Sequence, residues 1–481
     1  MLEKVFKLKE NGTNARTEIV AGLTTFMTMA YIIALNPNLL TGFGAEGAAE
    51  GLWNAVFLAT CIASAIGMFV MAFAANKPFA MAPGMGLNSF YASLCVSITA
   101  MTGMTYVESF QTCMCIILIE GVIFIVLSIL NVREKIVEAI PAGVRHGISP
   151  AIGIMLLNIG LGSNAGVYSE TNGFSSPFYV MRDFFGALTA KSMKEAIGDA
   201  GWREIVLVAA TMFIGLFIII ALAHKGVKAA VILGMLCASI IYWAGQAIFL
   251  GVNPFDGLKT ASWLPSFSTM AGVTLFKLNF AGLVEIGWTT VIILIITFCI
   301  IDMFDTIGTL VGTASRAGML DKDGKMPKMK EALLADAVGT IAGSLTGTST
   351  VTTFIESASG VEAGGRTGLT ALTTAIMFLA CMFIAPVAAI IPPAATSAAL
   401  IYVGILMLSG LRNINFDDMT DIAPVALMLI AMPISSSIGH AIGIGLITYT
   451  FIKLLTGKAK EVSVLTYILS VIFLVKFFVA L

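Results

Sequence analysis

Apolar runs bounded by charges or by glycine and proline follow one another along this chain from residue 18 to residue 456. A run of about 20 apolar residues spans the hydrocarbon core of a bilayer as a helix. A chain made of such runs has few folds open to it, because lipid offers no partner for backbone N–H and C=O groups. The composition agrees: of 481 residues, 58% are hydrophobic and only 11% charged, against about 25% charged in a soluble domain. Soluble enzymes, disordered hubs and secreted disulfide modules are excluded.

Spans are read near 18–36, 52–76, 82–100, 112–131, 147–162, 204–223 and 228–250, then near 288–312, 333–347, 351–369, 371–391, 394–410, 421–434 and 437–456. The expectation is an all-α polytopic membrane protein of about 14 spans. The apolar run 463–480 reads as a fifteenth span or as a helix lying in the interface. With a cytoplasmic N-terminus, 20 lysines and arginines fall on inside segments and 6 on outside ones, Lys476 being unassigned. That asymmetry is what the positive-inside rule requires. The long outside segments 163–203 and 251–287 are too short for domains with their own cores. Seven spans precede the second of them and seven follow, so the halves cross in opposite senses, as an inverted repeat.

The third segment of each half is interrupted. In the first half, Phe79–Asn88 carries Pro83, Gly84 and Gly86; in the second, Gly347–Glu356 is rich in threonine and β-prone. Neither stretch suits a continuous helix. Non-helical backbone at that depth survives only when buried in protein or lining a cavity. Paired breaks in corresponding spans therefore point to a midplane binding site.

Ionisable residues in the same region sharpen this. Asp302 and Asp305 lie deep in the eighth span, where each acid costs about 2.5–3.5 kcal/mol on insertion scales. Spaced i, i+3, they share one helical face near Thr306 and Thr309. Mutual repulsion and desolvation favour a proton on such a pair. Glu356 stands where a half-helix begins in the tenth span, a position favourable for a carboxylate that accepts from a planar N–H pair. Asn88 is its counterpart in the third span, Gly86 exposes backbone for close approach, and Phe354 offers a ring for stacking. Glu120, alone in the fourth span, reads as a structural hydrogen-bonding group, and His146, His224 and His440 form no ligand cluster. The seven cysteines lie in apolar runs and read as packing residues. Cys113-x-Cys115 lacks partners for a metal, so no metal site is expected. The polar, mixed-charge first 17 residues are not a cleavable signal peptide. The chain carries no phosphate-binding loop, metalloprotease motif, nucleophile elbow or dinucleotide loop, so no enzymatic activity is expected. With 27 basic and 28 acidic residues it offers nothing to nucleic acid either.

The stretches Thr17–Tyr31, Ala82–Asn88, Asp302–Thr306 and Thr352–Gly368 together resemble the AzgA-like purine permeases, a branch of the nucleobase/cation symporter superfamily, and the likeness extends over nearly the whole chain. The resemblance implies a uracil-transporter type of fold, a 7+7 inverted repeat in which a core moves against a gate, commonly in a homodimer. On that pattern 1–131 and 288–391 are core, 132–250 and 392–456 gate, 251–287 an extracytoplasmic connection, and 457–481 a C-terminal segment without a place in it. The resemblance assigns substrate binding to Gly86, Asn88, Asp302 and Glu356, with Asp305 in support.

Residues and resemblance lead to one expectation: a multi-pass cell-membrane symporter for a purine base (hypoxanthine, guanine or adenine) with no bound cofactor. Asp302, Asp305 and Glu356 are the candidates for coupling to protons, and sodium stays open as the coupling ion. The alternatives are an anion exchanger of the same fold and an uncoupled channel or receptor.

Overall fold

Helices form where the apolar runs lie, because a helix satisfies its own backbone in lipid. The computed structural model describes residues 2–42, 51–130, 141–161, 191–259, 262–316, 318–319, 326–435 and 438–479. Most of the outside segment 163–203 and the stretches 131–140 and 320–325 lie outside the described residues. The first half comprises α1 (Leu2–Phe6), α2 (Ala15–Met29), α3 (Ile32–Leu40), α4 (Leu52–Val70), β1 (Met81–Pro83), α5 (Met85–Thr102), α6 (Tyr106–Ile129), α7 (Ala142–Leu161), α8 (Lys191–His224) and α9 (Ala230–Gly245). Two short helices, α10 (Phe267–Val273) and α11 (Phe280–Ile286), occupy the connection. The second half begins with α12 (Trp288–Arg316), α13 (Met329–Thr346), β2 (Val351–Thr353), α14 (Ser357–Glu362) and α15 (Gly368–Cys381). It continues through α16 (Ala385–Ala389), α17 (Pro393–Met407), α18 (Met419–Ser435), α19 (Ile438–Leu455) and α20 (Val464–Val479). Among the described residues, nine helices are long and apolar enough to cross a membrane; Met419–Pro433, His440–Leu455 and Val464–Val475 are shorter apolar helices.

The third and tenth predicted spans are each a strand followed by a helix. The tenth is shorter than expected: α14 has 6 residues, and the chain leaves it through Gly364 at φ 104°, a backbone conformation that glycine adopts without steric cost. Helices pack in two groups. In one, α4 and α6 lie along α13, and α2 and α4 lie along α15; in the other, α7 lies along α17 and α18, α8 along α9 and α17, and α18 along α19. The final helix α20 packs on α19, with Phe473 fully buried against Gly443. Lys453 pairs with Glu461 at 2.6 Å in the turn before it. With 16 residues, α20 is about 24 Å long.

One buried carboxylate ties the first span to the eleventh. Glu18 on α2 is fully buried; its Oε1 accepts from the Arg366 backbone N–H at 2.8 Å, and its Oε2 from the Thr370 hydroxyl at 2.6 Å and the Thr367 N–H at 3.2 Å. It thus satisfies donors at the start of α15, which no intrahelical acceptor can reach, and complements the helix dipole. The Arg366 guanidinium donates to Val361 O at 2.6 Å and Gly365 O at 2.7 Å, closing the end of α14. Nearby, Asn76 accepts from Gly368 N and donates to Phe6 O, Lys328 donates to Ala74 O, and Lys330 to Ile129 O. Segments that the charge asymmetry assigns to one side thus meet at one end of the molecule.

Glu18→Ala leaves these donors without their acceptor, and buried unsatisfied groups cost about 1–3 kcal/mol each. The unfolding midpoint of the detergent-solubilised protein should fall clearly for Glu18→Ala and less for Glu18→Gln, which retains one acceptor oxygen. An unchanged midpoint for Glu18→Ala would show that α15 does not depend on this cap.

Candidate functional site

At the paired breaks, the backbone of each half is satisfied by the other half. β1 and β2 pair antiparallel, with Met81 opposite Thr353, Ala82 opposite Thr352 and Pro83 opposite Val351. The ladder continues through Gly84 N to Thr350 O at 3.1 Å and Phe354 N to Ala80 O at 2.9 Å, and Ala80 N donates to Ser357 Oγ at 2.9 Å. The β-branched run Val351–Thr353 favours the extended conformation, and Pro83 breaks the helix that the flanking residues would otherwise form. From the far ends of the strands α5 and α14 depart, with Gly84 and Glu356 as their N-cap residues.

Of the three candidate carboxyls, Glu356 and Asp305 lie at this ladder and Asp302 lies behind it. Glu356 is half-buried, and its Oε1 accepts from the hydroxyl of Tyr31, between α2 and α3, at 2.8 Å. Tyr402 on α17, from the other packing group, lies within electrostatic reach of Glu356. Asp305 is also half-buried; it accepts from Thr352 of β2 at 3.3 Å and lies beside Gly84, within electrostatic reach of Glu356. Asp302 is fully buried, with its Oδ1 at 3.1 Å from the Thr306 hydroxyl. Three helical residues fall about 60° short of a full turn, so one acid of the pair opens onto the break while the other sits behind it. The more open of the two is Asp305, which the resemblance casts in the supporting role.

The remaining candidates take different positions. Asn88 is fully buried: its amide donates to Asn36 Oδ1 at 2.6 Å and Pro83 O at 3.2 Å, and its oxygen accepts from Ser349. Asn36 in turn donates to Thr60 at 2.7 Å and Thr348 at 2.9 Å. This network joins the first, second and third spans to the turn before β2, so the Asn88 side chain is engaged in holding the two breaks together. Gly86 faces α7, where an added Cβ would lie 2.5 Å from Ile152 Cγ2; a bare backbone keeps that seam narrow. Phe354 is buried in the main hydrophobic cluster. Glu120 accepts from Thr350 at 2.9 Å, the structural bond its isolation in the sequence suggests.

Tyr31, Asn36, Asp336, Ser349 and Tyr402 were not singled out from the sequence. Asp336 had a usable signal, an acid inside the predicted span 333–347, to which the insertion-cost argument applies as it does to Asp302. Tyr31 lay within a motif already noted. Asn36, Ser349 and Tyr402 become significant only through their spatial neighbours.

Comparison with known proteins now identifies the class. Residues 16–446 match the xanthine/uracil permeases, described as a permease family. The adenine permease AdeP of Escherichia coli is 37% identical over 99% of this chain and 96% of its own length. The guanine/hypoxanthine permease PbuO of Bacillus subtilis is 36% identical over 99% and 100%. Among solved structures, the transmembrane domain of the cyanobacterial bicarbonate transporter BicA superposes with a TM-score of 0.60 at 17% identity, covering 89% of this chain and 96% of that one. The fold is that of the uracil-transporter type, and the protein is a multi-pass membrane protein. The chain belongs to the xanthine/uracil permease family.

Because Asn36 and Asn88 hydrogen-bond one another, their substitutions should not be additive. Asn88→Ala is expected to cost about 1–3 kcal/mol, and the Asn36→Ala, Asn88→Ala double variant clearly less than the sum of the singles. A thermal-unfolding double-mutant cycle measures the coupling; strict additivity would show that the bond carries no stability.

Proposed function

We propose that the protein imports a purine nucleobase together with a proton, by movement of one helix group against the other. Supporting the substrate class are two close relatives, an adenine permease and a guanine/hypoxanthine permease, each similar over almost its whole length. The observation that carries the site assignment is the half-buried Glu356, held at one oxygen by Tyr31 at the strand break. Tyr31 occupies one acceptor position of a carboxylate that has about four, so capacity is left for paired N–H donors such as those on the edge of guanine or hypoxanthine.

In this reading a flat base enters between the break and the facing helix group. Glu356 and Asp305 accept its N–H donors, the ring of Tyr402 lies against its face, and Asp302, behind them, gains and loses the coupling proton. Asn88 acts through the ladder by fixing its shape. The helices of 1–131 and 288–391 form the moving core, those of 132–250 and 392–456 the gate, and the seam of Gly86 against Ile152 is where they slide. Carboxyls around the break disfavour an anionic substrate, which argues against transport of an anion such as the bicarbonate in that neighbour's name.

Glu356→Gln replaces one acceptor by a donor facing N–H groups. Affinity of the purified protein for guanine or hypoxanthine, measured by calorimetry, should fall at least about tenfold, with a smaller loss for Tyr31→Phe. Unchanged affinity in Glu356→Gln would remove this residue from the site. A separate assay in proteoliposomes addresses coupling. Asp302→Asn fixes the neutral form, so proton uptake driven by purine and accumulation against a gradient should both vanish, while Asp305→Asn weakens them in part. Concentration of purine by the Asp302 variant under an inward proton gradient would show that the coupling proton rides on another group.

A further inference from the structure

Asp336 on α13 is a fully buried acid with no part in the scheme above. Thr306 Oγ1 lies 2.6 Å from Asp336 Oδ1 and 3.1 Å from Asp302 Oδ1, so one hydroxyl stands between two carboxyls. All three residues are fully buried. A hydroxyl has a single proton to donate and otherwise presents lone pairs. When it donates to one carboxylate, its contact with the second is attractive if that carboxyl is protonated and donates to the hydroxyl oxygen. The shorter contact, with Asp336, is taken as the donated bond, which leaves Asp302 to carry the proton. Thr306 then donates to an ionised Asp336 and receives the proton of Asp302.

We propose that Asp302 and Asp336 share one proton through the hydroxyl of Thr306. Asp336 is thereby a positioning residue for the coupling proton, acting through Thr306 and touching no substrate. The proposal rests on proton coupling as set out above and adds the partner that receives the charge. Transfer is balanced within the trio: Asp302 passes its proton to Thr306 Oγ1 as Thr306 passes its own to Asp336. Asp302 becomes an anion and Asp336 becomes neutral; this step leaves the number of protons in the trio unchanged, and the coupling proton enters and leaves it at Asp302. The titratable groups on the elements packed against α13 are consistent with this. α12 contributes Asp302 and also Asp305, which lies within electrostatic reach of Asp336. α6 contributes Glu120, bonded by Thr350, together with Tyr106 and Glu108 in its first turn and Cys113 and Cys115 between. α4 has Cys61 as its one titratable side chain, and β1 and β2 have none.

Infrared spectroscopy of the purified full-length protein reports the shared proton directly, as the C=O stretch of a protonated carboxyl in a dry site. The band is expected in the wild type, to shift in Thr306→Val, to return to its place in Thr306→Ser, and to be lost or displaced in Asp336→Asn. A carboxyl band indifferent to Thr306→Val, or no such band, overturns the proposal; should Asp336→Asn fail to fold, the two Thr306 variants decide. Proteoliposomes give the second readout, with labelled hypoxanthine and an internal pH dye. The ratio of protons to hypoxanthine should fall at least about twofold in Thr306→Val and recover in Thr306→Ser, and a ratio unmoved by Thr306→Val also overturns the proposal. If the wild type moves hypoxanthine without protons, the coupling reading fails on its own account, and the infrared band still decides whether the trio shares a proton.

Discussion

A peptide group in hydrocarbon has no water to bond with, and leaving it unpaired costs several kcal/mol. The structure meets that constraint at the two interrupted spans by pairing two buried three-residue strands from opposite halves of the chain. Everything around the site depends on this ladder. It is what permits two spans to stop being helices in mid-membrane, and stopping there is what brings N-cap residues, and the carboxylate of Glu356 among them, to the centre of the molecule. A continuous helix in either position would keep its own backbone content and provide no site at all.

The ladder is short, and the neighbouring side chains hold it in place. The Asn36–Asn88 network fixes the side from which α5 leaves, Ser357 continues the bonding beyond β2, and Glu120 holds Thr350 from behind. The first span serves both ends of α14: Tyr31 holds Glu356 at its start, and Glu18 binds the chain just beyond its end through Arg366 and Thr367. Six residues make too short a helix to be stable alone; α14 has its two ends held by the first span and the chain that follows it.

Much of this was legible in the sequence, for physical reasons. Span position follows from hydropathy, since lipid leaves the chain no other option, and the breaks follow from Pro83 in one half and a threonine-rich stretch in the other. Glu356 and the aspartates of α12 stood out because charge at that depth is costly. The bonding of the breaks to one another was not legible: nothing local in Met81–Pro83 names Val351–Thr353 as its partner. The same limit applies to Asn88, whose amide serves equally well for a ligand or for a neighbouring helix until Asn36 and Ser349 are seen beside it. The i, i+3 spacing put Asp302 and Asp305 on one face, but which of them opens onto the break depends on how α12 is rotated against β2 and α13, a property of packing.

The strand pairing also sets an order on synthesis. Ala80 and its partner Ser357 are 277 residues apart. At ribosomal speeds of about 5–20 residues per second, the first break waits on the order of tens of seconds for the second to be made. Throughout that interval β1 lacks the strand that pairs with it in the folded chain. The candidate site is then completed only after β2 is made, and a nascent chain halted before β2 has a first strand without its partner.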